Sequence, residues 1–349
     1  MFAADTILRR YRALGADPPF GDPRRDHGAA MEGYFWRFSD RRSGRVVIAL
    51  CGVCRGGGPP WATVAIGAHP GGFLRWVDLP AAGADPAALG VWARGQAGSF
   101  RGDTTGLEVD LGPGARLSVT LADPASARRS MLGGSGAGHL IPGLGQYWHP
   151  HLLGGDVRGA VEVGQETIDL GGFQVYAEKN WGGGGFPSRW WWGQAHGFDC
   201  EDVCIAFAGG EVTLGPIRTE ATGIAVALGP RRVRLGNPVL APSRVTLRDG
   251  GWHLRARGPV WAVELEGESA PEKAHVLPVP DLAARRSRPG ANEHLAARLR
   301  LVVRRRGRVA YAGESAVAGL EVGGASGEQV DGVRAGGGVL LARGARRAR

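Results

Sequence analysis

Lysine is nearly missing from this chain: Lys179 and Lys273 are its only two among 349 residues. Neither lies in a G-x-x-x-x-G-K-[ST] context, so the phosphate-cradling loop of that type is absent. H-E-x-x-H is also absent, which removes that zinc-protease arrangement. Around Ser135, Ala137 stands where a nucleophile elbow needs its second glycine, and no G-x-G-x-x-G joins a strand-like run to a helix. No run approaches the roughly eighteen apolar residues of a membrane-spanning helix. The opening MFAADTILRRYRALGADPPF has no apolar core of a signal peptide. The expectation is a cytoplasmic protein with reduced thiols.

Cysteine is scarce too, at four residues in two pairs, Cys51/Cys54 and Cys200/Cys204. RVVIALCGVC reads as a strand, and residues three apart on a strand face opposite sides. Cys51 and Cys54 therefore cannot share one metal; buried structural thiols are expected, and no metal. Glycine is abundant at 60 residues but has no Gly-X-Y period, which excludes a collagen helix. The formal charge is +9 and the pI about 10.1. This charge is almost all scattered arginine. Its dense clusters, Arg304–Arg306 and the closing RGARRAR, look like a strand end and a terminus, so nucleic acid is not expected as a partner. Loose peripheral attraction to an anionic membrane surface is the more plausible use of the charge.

What the chain does have is strand-like sequence. Residues 1–30 read as a short helix and a Pro/Gly-rich lead-in. From residue 31 on, short runs such as GYFWRF, RVVIALCGV, FQVYAEK, RWWWGQA and WHLRAR recur with turn residues between them. Many alternate apolar and polar, as half-buried antiparallel strands do. The predicted class is all-β, a sandwich or barrel, with minor helical patches near Pro86–Gln96 and Pro280–Arg286. MEGYFWRF and YAEKNWGG each set an acid beside aromatics on a strand, which suggests two related β-barrel halves, 31–165 and 166–325. Residues 326–349 form a basic, partly disordered tail, and the Pro/Gly/Ser-rich stretch from Ala122 to Gly145 is a boundary region or a long functional loop.

YAEKNWGGGGFPSRWWWGQAHGF, residues 176–198, concentrates the chemistry. On a strand, Gln174, Tyr176, Glu178 and Asn180 share one face. In the next strand Trp190, Trp192, Gln194 and His196 share a face. Two tryptophans beside an amide and an imidazole suit a mostly apolar pocket with a few directing groups. Such a wall could serve an acid that protonates a carbon–carbon double bond, because indole faces stabilise the resulting cation by roughly 0.5–2 kcal/mol each. Burial among aromatics keeps a carboxyl protonated, so Glu178 and Glu32 are candidate donors. His149, which would share a face with His151, is a candidate for proton transfer. Ordinary core packing of the tryptophans, an exposed or ion-paired Glu178, and hydrogen-bonded structural histidines are the competing readings.

MEGYFWRF, QYWHPHLLGG, the 176–198 stretch and ESAVAGLEVGG, in that order, resemble the characteristic segments of the tocopherol cyclase-like family. The resemblance covers roughly residues 30–325. It implies two packed lipocalin-like antiparallel β-barrel halves and an acid-catalysed closure of a prenylated hydroquinone, or a related hydrophobic isoprenoid, to a chromanol. It implies no cofactor. Hydratases of polyenes and pericyclase-type enzymes have related folds, and a lipocalin-like isoprenoid binder without chemistry, or a hydratase of polyenes, is the alternative. The resemblance carries over no fixed catalytic set; among the residues of these segments Glu178 is the expected proton donor, with Glu32 or His149 next. Tyr176 and Asn180 would orient the quinol, and Trp181, Trp190 and Trp192 would shield the cation. Tyr34, Trp36, Tyr147, Gln194 and His196 complete the expected substrate contacts.

Overall fold

The computed structural model describes residues 2–122, 131–237, 240–248, 250–270, 273–324, 333–334 and 340–341. Among them, two twelve-stranded sheets account for nearly all regular structure. The first runs from Met31–Asp40 to Gln174–Gly182 and the second from Arg189–Ala195 onward. Every strand pair is antiparallel, which suits hairpin-linked strands with one apolar face each. The fold is thus all-β, two barrel-like halves, as the alternation predicts.

Each sheet curls around its own core. In Met31–Asp40 the inward side chains Tyr34, Trp36 and Phe38 join Val47, Val64, Phe100 and Val175 inside the first half. The alternate residues Phe35 and Arg37 point the other way, toward the second half. In Arg189–Ala195 the period of two sends Trp191 and Ala195 into the second core with Phe207, Trp252 and Leu265. Trp190 and Trp192 face back toward the first sheet. The long hairpin Arg286–Arg305 and Arg308–Gly324 closes on a two-residue turn. Arg306 and Gly307 both adopt positive φ, 49° and 81°, as a type I′ turn requires. The arginine cluster at 304–306 therefore marks a strand end.

The division between halves differs from the expected break after residue 165. Gln174–Gly182 pairs with Met31–Asp40 on one side and Tyr147–Val163 on the other, so it belongs to the first sheet. The chain passes to the second sheet only at the glycine run Gly182–Gly185. MEGYFWRF and YAEKNWGG are thus hydrogen-bonded neighbours in one sheet, not the openings of two halves. Their similarity reflects a shared environment.

The N-terminal helix is present as Phe2–Ala13. The helical patch expected near Pro86–Gln96 is instead the strand Gly90–Gly95, paired with Gly98–Asp103; sheet pairing overrides its weak helical pattern. The patch near Pro280–Arg286 is a turn. The Asp281 carboxylate accepts from the Ala284 N–H at 2.9 Å, and Arg285 adopts φ 51°. Within Ala122–Gly145 lies the short 3₁₀ helix Gly136–Leu140. Most of the 326–349 tail lies outside the described residues; Val333–Arg334 and Leu340–Leu341 pair with the second sheet. All four cysteines are free thiols. Cys51 sits in the first core and Cys54 in a separate cluster with Met31 and Trp61.

Candidate functional site

Between the outward face of the first sheet and the facing side of the second lies a cavity of about 750 Å³. Phe35, Trp148, Glu178 and Asn180 line it from the first sheet, and Trp190, Trp192 and Glu321 from the second. Leu277, Val279 and Ala291 complete an apolar wall. A smaller hollow of about 440 Å³ adjoins it, sharing Leu144, Tyr147, Phe186, Pro187 and Glu211, and is floored by the glycine run 182–185.

Glu178 is the centre of the polar geometry. Its Oε2 accepts hydrogen bonds from Trp148 Nε1–H and Trp192 Nε1–H, each at 2.7 Å, and from the Tyr176 hydroxyl. The side chain is buried, and desolvation raises its pKa despite the three donors from Tyr176, Trp148 and Trp192. Three donors on Oε2 leave no room there for a proton. The neutral acid must carry it on Oε1, which makes no hydrogen bond to the described residues. When protonated, this carboxyl has one fixed tautomer and faces an apolar space.

A second carboxyl shares the cavity. Glu321 accepts from Trp190 Nε1–H at 2.6 Å. Burial pushes its pKa up to about 7 against the Trp190 hydrogen bond, and Glu178 adds to the rise once it is ionised. Its cross-strand partner Glu293 is wholly buried, with neither oxygen hydrogen-bonded. Desolvation and, when it is ionised, Glu321 push the Glu293 carboxyl well above its usual range, against the Arg37 charge. Two amide oxygens that line the cavity, Asn180 Oδ1 and Gln146 Oε1, accept no hydrogen bond within the described residues. Buried acceptors of this kind suit hydroxyl donors on a ligand.

The expected site residues separate into those that meet here and those that do not. Glu178, Asn180, Trp190 and Trp192 line the cavity, as do Tyr34 and Tyr147. The Tyr147 hydroxyl is occupied, donating to Ile141 O at 2.6 Å and accepting from the Leu144 N–H at 3.1 Å. Tyr176 is a support for Glu178 and no lining residue.

Glu32 is a correction. It shares the inward face of its strand with Tyr34 and pairs with Lys179 Nζ at 2.7 Å and Arg55 Nη1 at 3.1 Å. Burial alone would raise its pKa, but the Lys179 and Arg55 charges hold the carboxyl far below the usual range. It is a fixed anion with no proton to give. Lys179 also contacts His27 and lies over the Tyr34 and Trp181 rings, so this network pins the 14–30 lead-in to the first half.

His149 is a second correction. It lies on the strand face opposite Trp148, accepts from the Gly134 N–H at 3.1 Å, and does not line the cavity. Desolvation and the neighbouring His139 and His151 keep it well below the ordinary imidazole pKa, so it is neutral. Trp36 packs inside the first core against Phe100, and Trp181 stacks on Tyr147 with its indole N–H on Gly15 O. Gln194 accepts from the buried Arg37 at 2.8 Å, and Arg37 donates onward to Leu295 O and Val317 O. That pair ties the halves together behind the cavity. His196 is buried beyond the cavity wall, its pKa lowered to about 3 by desolvation and the Arg37 charge.

Trp148, Glu321, Gln146 and Phe35 are among the lining residues that sequence reasoning missed. The signal for Trp148 was the parity of QYWHPHLLGG: the strand turns Trp148 to the cavity and His149 away. Glu321 lies within ESAVAGLEVGG, two residues after Gly319, whose neighbourhood includes the Trp192 ring.

A family model described as tocopherol cyclase-like matches residues 146–324, just over half the chain. A probable chloroplastic tocopherol cyclase of Oryza sativa subsp. japonica is 30% identical over 131 residues, 37% of this chain and 23% of that protein. The match thus spans less than a quarter of that relative's length. Among solved structures, CghA with Sch210972 is similar at a TM-score of 0.61 and 11% identity, covering 86% of this chain and 90% of that one. Kievitone hydratase from Nectria haematococca is similar at 0.50 and 10%, covering 84% and 89%. At these identities the likeness to solved structures is one of fold.

Proposed function

The chain belongs to the tocopherol cyclase-like family, and from that premise we propose that it closes a prenylated hydroquinone to a chromanol, with Glu178 as proton donor. The observation that carries this reading is the carboxyl of Glu178, raised in pKa, with one oxygen saturated by Trp148, Trp192 and Tyr176 inside an apolar cavity.

Oε1 passes its proton to the less substituted carbon of the prenyl double bond, and a tertiary cation forms on the other carbon. A lone pair of the neighbouring phenol oxygen closes the C–O bond. The phenolic proton then leaves to a base, and the sum is an isomerisation without oxidant or reductant. Glu321, with a pKa near neutrality, is suited to accept that proton. The indoles of Trp148, Trp190 and Trp192 favour the cation by roughly 0.5–2 kcal/mol each. Asn180 Oδ1 and Gln146 Oε1 accept from the quinol hydroxyls. Tyr176 positions the donor; the part first assigned to it in holding the quinol falls to Asn180 and Gln146.

Hydration of a prenyl or polyene double bond begins with the same protonation and differs in the oxygen that traps the cation. The test is incubation with a prenylated benzoquinol in deuterated water. Cyclisation places one deuterium on the former alkene carbon with no other mass change, whereas hydration adds a solvent water. Quenching of tryptophan emission by prenyl quinols and polyenes that all emerge unchanged would make the protein a lipid binder instead.

A further inference from the structure

Several of the exposed large apolar side chains lie on the N-terminal helix or line the two hollows. Leu14 lines the smaller hollow, Ile141 and Leu240 line the cavity itself, and all three are exposed. The Gly143 N–H donates to Leu14 O at 2.8 Å and the Tyr147 hydroxyl to Ile141 O, so the end of the N-terminal helix is stitched to the cavity mouth. Ile7, Leu8 and Tyr11 on that helix, and Leu14 in the turn just after it, fall on one stripe. The protein covers only its last turns: Tyr11 donates to Leu140 O at 2.7 Å, whereas Ile7 is 69% and Leu8 44% exposed. Exposed Arg10 stands beside this stripe, on a chain of net charge +9.

We propose that this rim of Ile7, Leu8, Leu14, Ile141 and Leu240 seats on an anionic lipid bilayer and that an apolar substrate enters the cavity from it. The inference rests on the reading of the cavity as a site for a lipid-soluble molecule. The occupant is a bilayer because the apolar rim is continuous with the apolar cavity, so a molecule dissolved in lipid need never cross water. The positive charge beside the rim complements anionic headgroups.

The test is co-sedimentation of the full chain with vesicles of phosphatidylcholine alone and of phosphatidylcholine mixed with phosphatidylglycerol. The chain should bind the mixed vesicles more strongly. Ile7→Asp with Leu8→Asp should weaken that binding by about tenfold or more. Val309→Asp, which changes an exposed apolar residue that lines neither hollow, should leave it unchanged. Unchanged tryptophan emission would show that each variant is folded. No binding to mixed vesicles, equal loss with Val309→Asp, or a rim variant that instead dissolves a dimer of the chain would overturn the proposal. Turnover of a short-chain, water-soluble prenyl quinol needs no vesicle. Its failure would sink the cyclase reading and leave the sedimentation result standing.

Discussion

Trp148 and Trp192, one from each half of the protein, place their indole N–H groups on the same oxygen of Glu178, both at 2.7 Å. The carboxyl is therefore held across the interface between two sheets. Its orientation depends on their being assembled.

Replacing Glu178 by Gln should abolish turnover while sparing binding. The amide keeps the size of the side chain but has no acid proton. A loss of about 10²–10⁴-fold in rate is expected, as for other general acids. Tryptophan quenching by the prenyl quinol should change little. Retained turnover in Glu178→Gln would remove the acid from the mechanism.

Trp148→Phe should move the pH profile upward. The indole N–H lowers the Glu178 pKa, so its loss raises it. A donor acting as a neutral acid is active below its pKa and inactive above it. The alkaline limb of the rate profile should therefore shift to higher pH. A downward shift would contradict the assignment of Glu178.

Glu321→Gln should stabilise the folded protein at alkaline pH. A carboxyl raised to about 7 in the folded state favours the native chain only while protonated. That advantage is complete below the unfolded pKa and is lost as pH rises through 7. Denaturant unfolding at pH 8 should show Glu321→Gln more stable than the parent by roughly 1–3 kcal/mol, with the difference vanishing near pH 4.

Lys179→Met should cost far more stability than any lining substitution. It strands the buried Glu32 anion, and breaking a buried ion pair costs about 3–5 kcal/mol. Since Glu32 is depressed in pKa, its pairing stabilises the fold above the unfolded carboxylate pKa and fails as pH falls below it. Glu32→Gln should flatten that acid limb, and adding it to Lys179→Met should recover part of the loss. Neither change should move the alkaline limb of the rate profile.

Much of the fold was legible in the sequence. Alternation in GYFWRF and WHLRAR marks strands, and the same alternation correctly set Trp190 and Trp192 against Trp191. It could not say where one sheet ends. The strand Gln174–Gly182 could pair with either half, and only its hydrogen bonds to Met31–Asp40 and Tyr147–Val163 assign it.

Glu32 and Glu178 show where sequence runs out. Each sits among aromatics on a strand, and both are equally plausible acids by that pattern. They project from opposite faces of one sheet. Glu32 meets Lys179 and is pinned as an anion; Glu178 has no cation beside it, and burial pushes it toward its neutral form against the pull of two indole N–H groups and a phenol. The absences of phosphate and zinc motifs, the strand periodicity and the resembling segments are properties of the chain alone, because each depends on residues close in sequence. The charge state of an acid depends on what stands within a few ångströms of it. For Glu178 those neighbours include residues 30 positions before it and 14 after it, so only the folded sheets could decide.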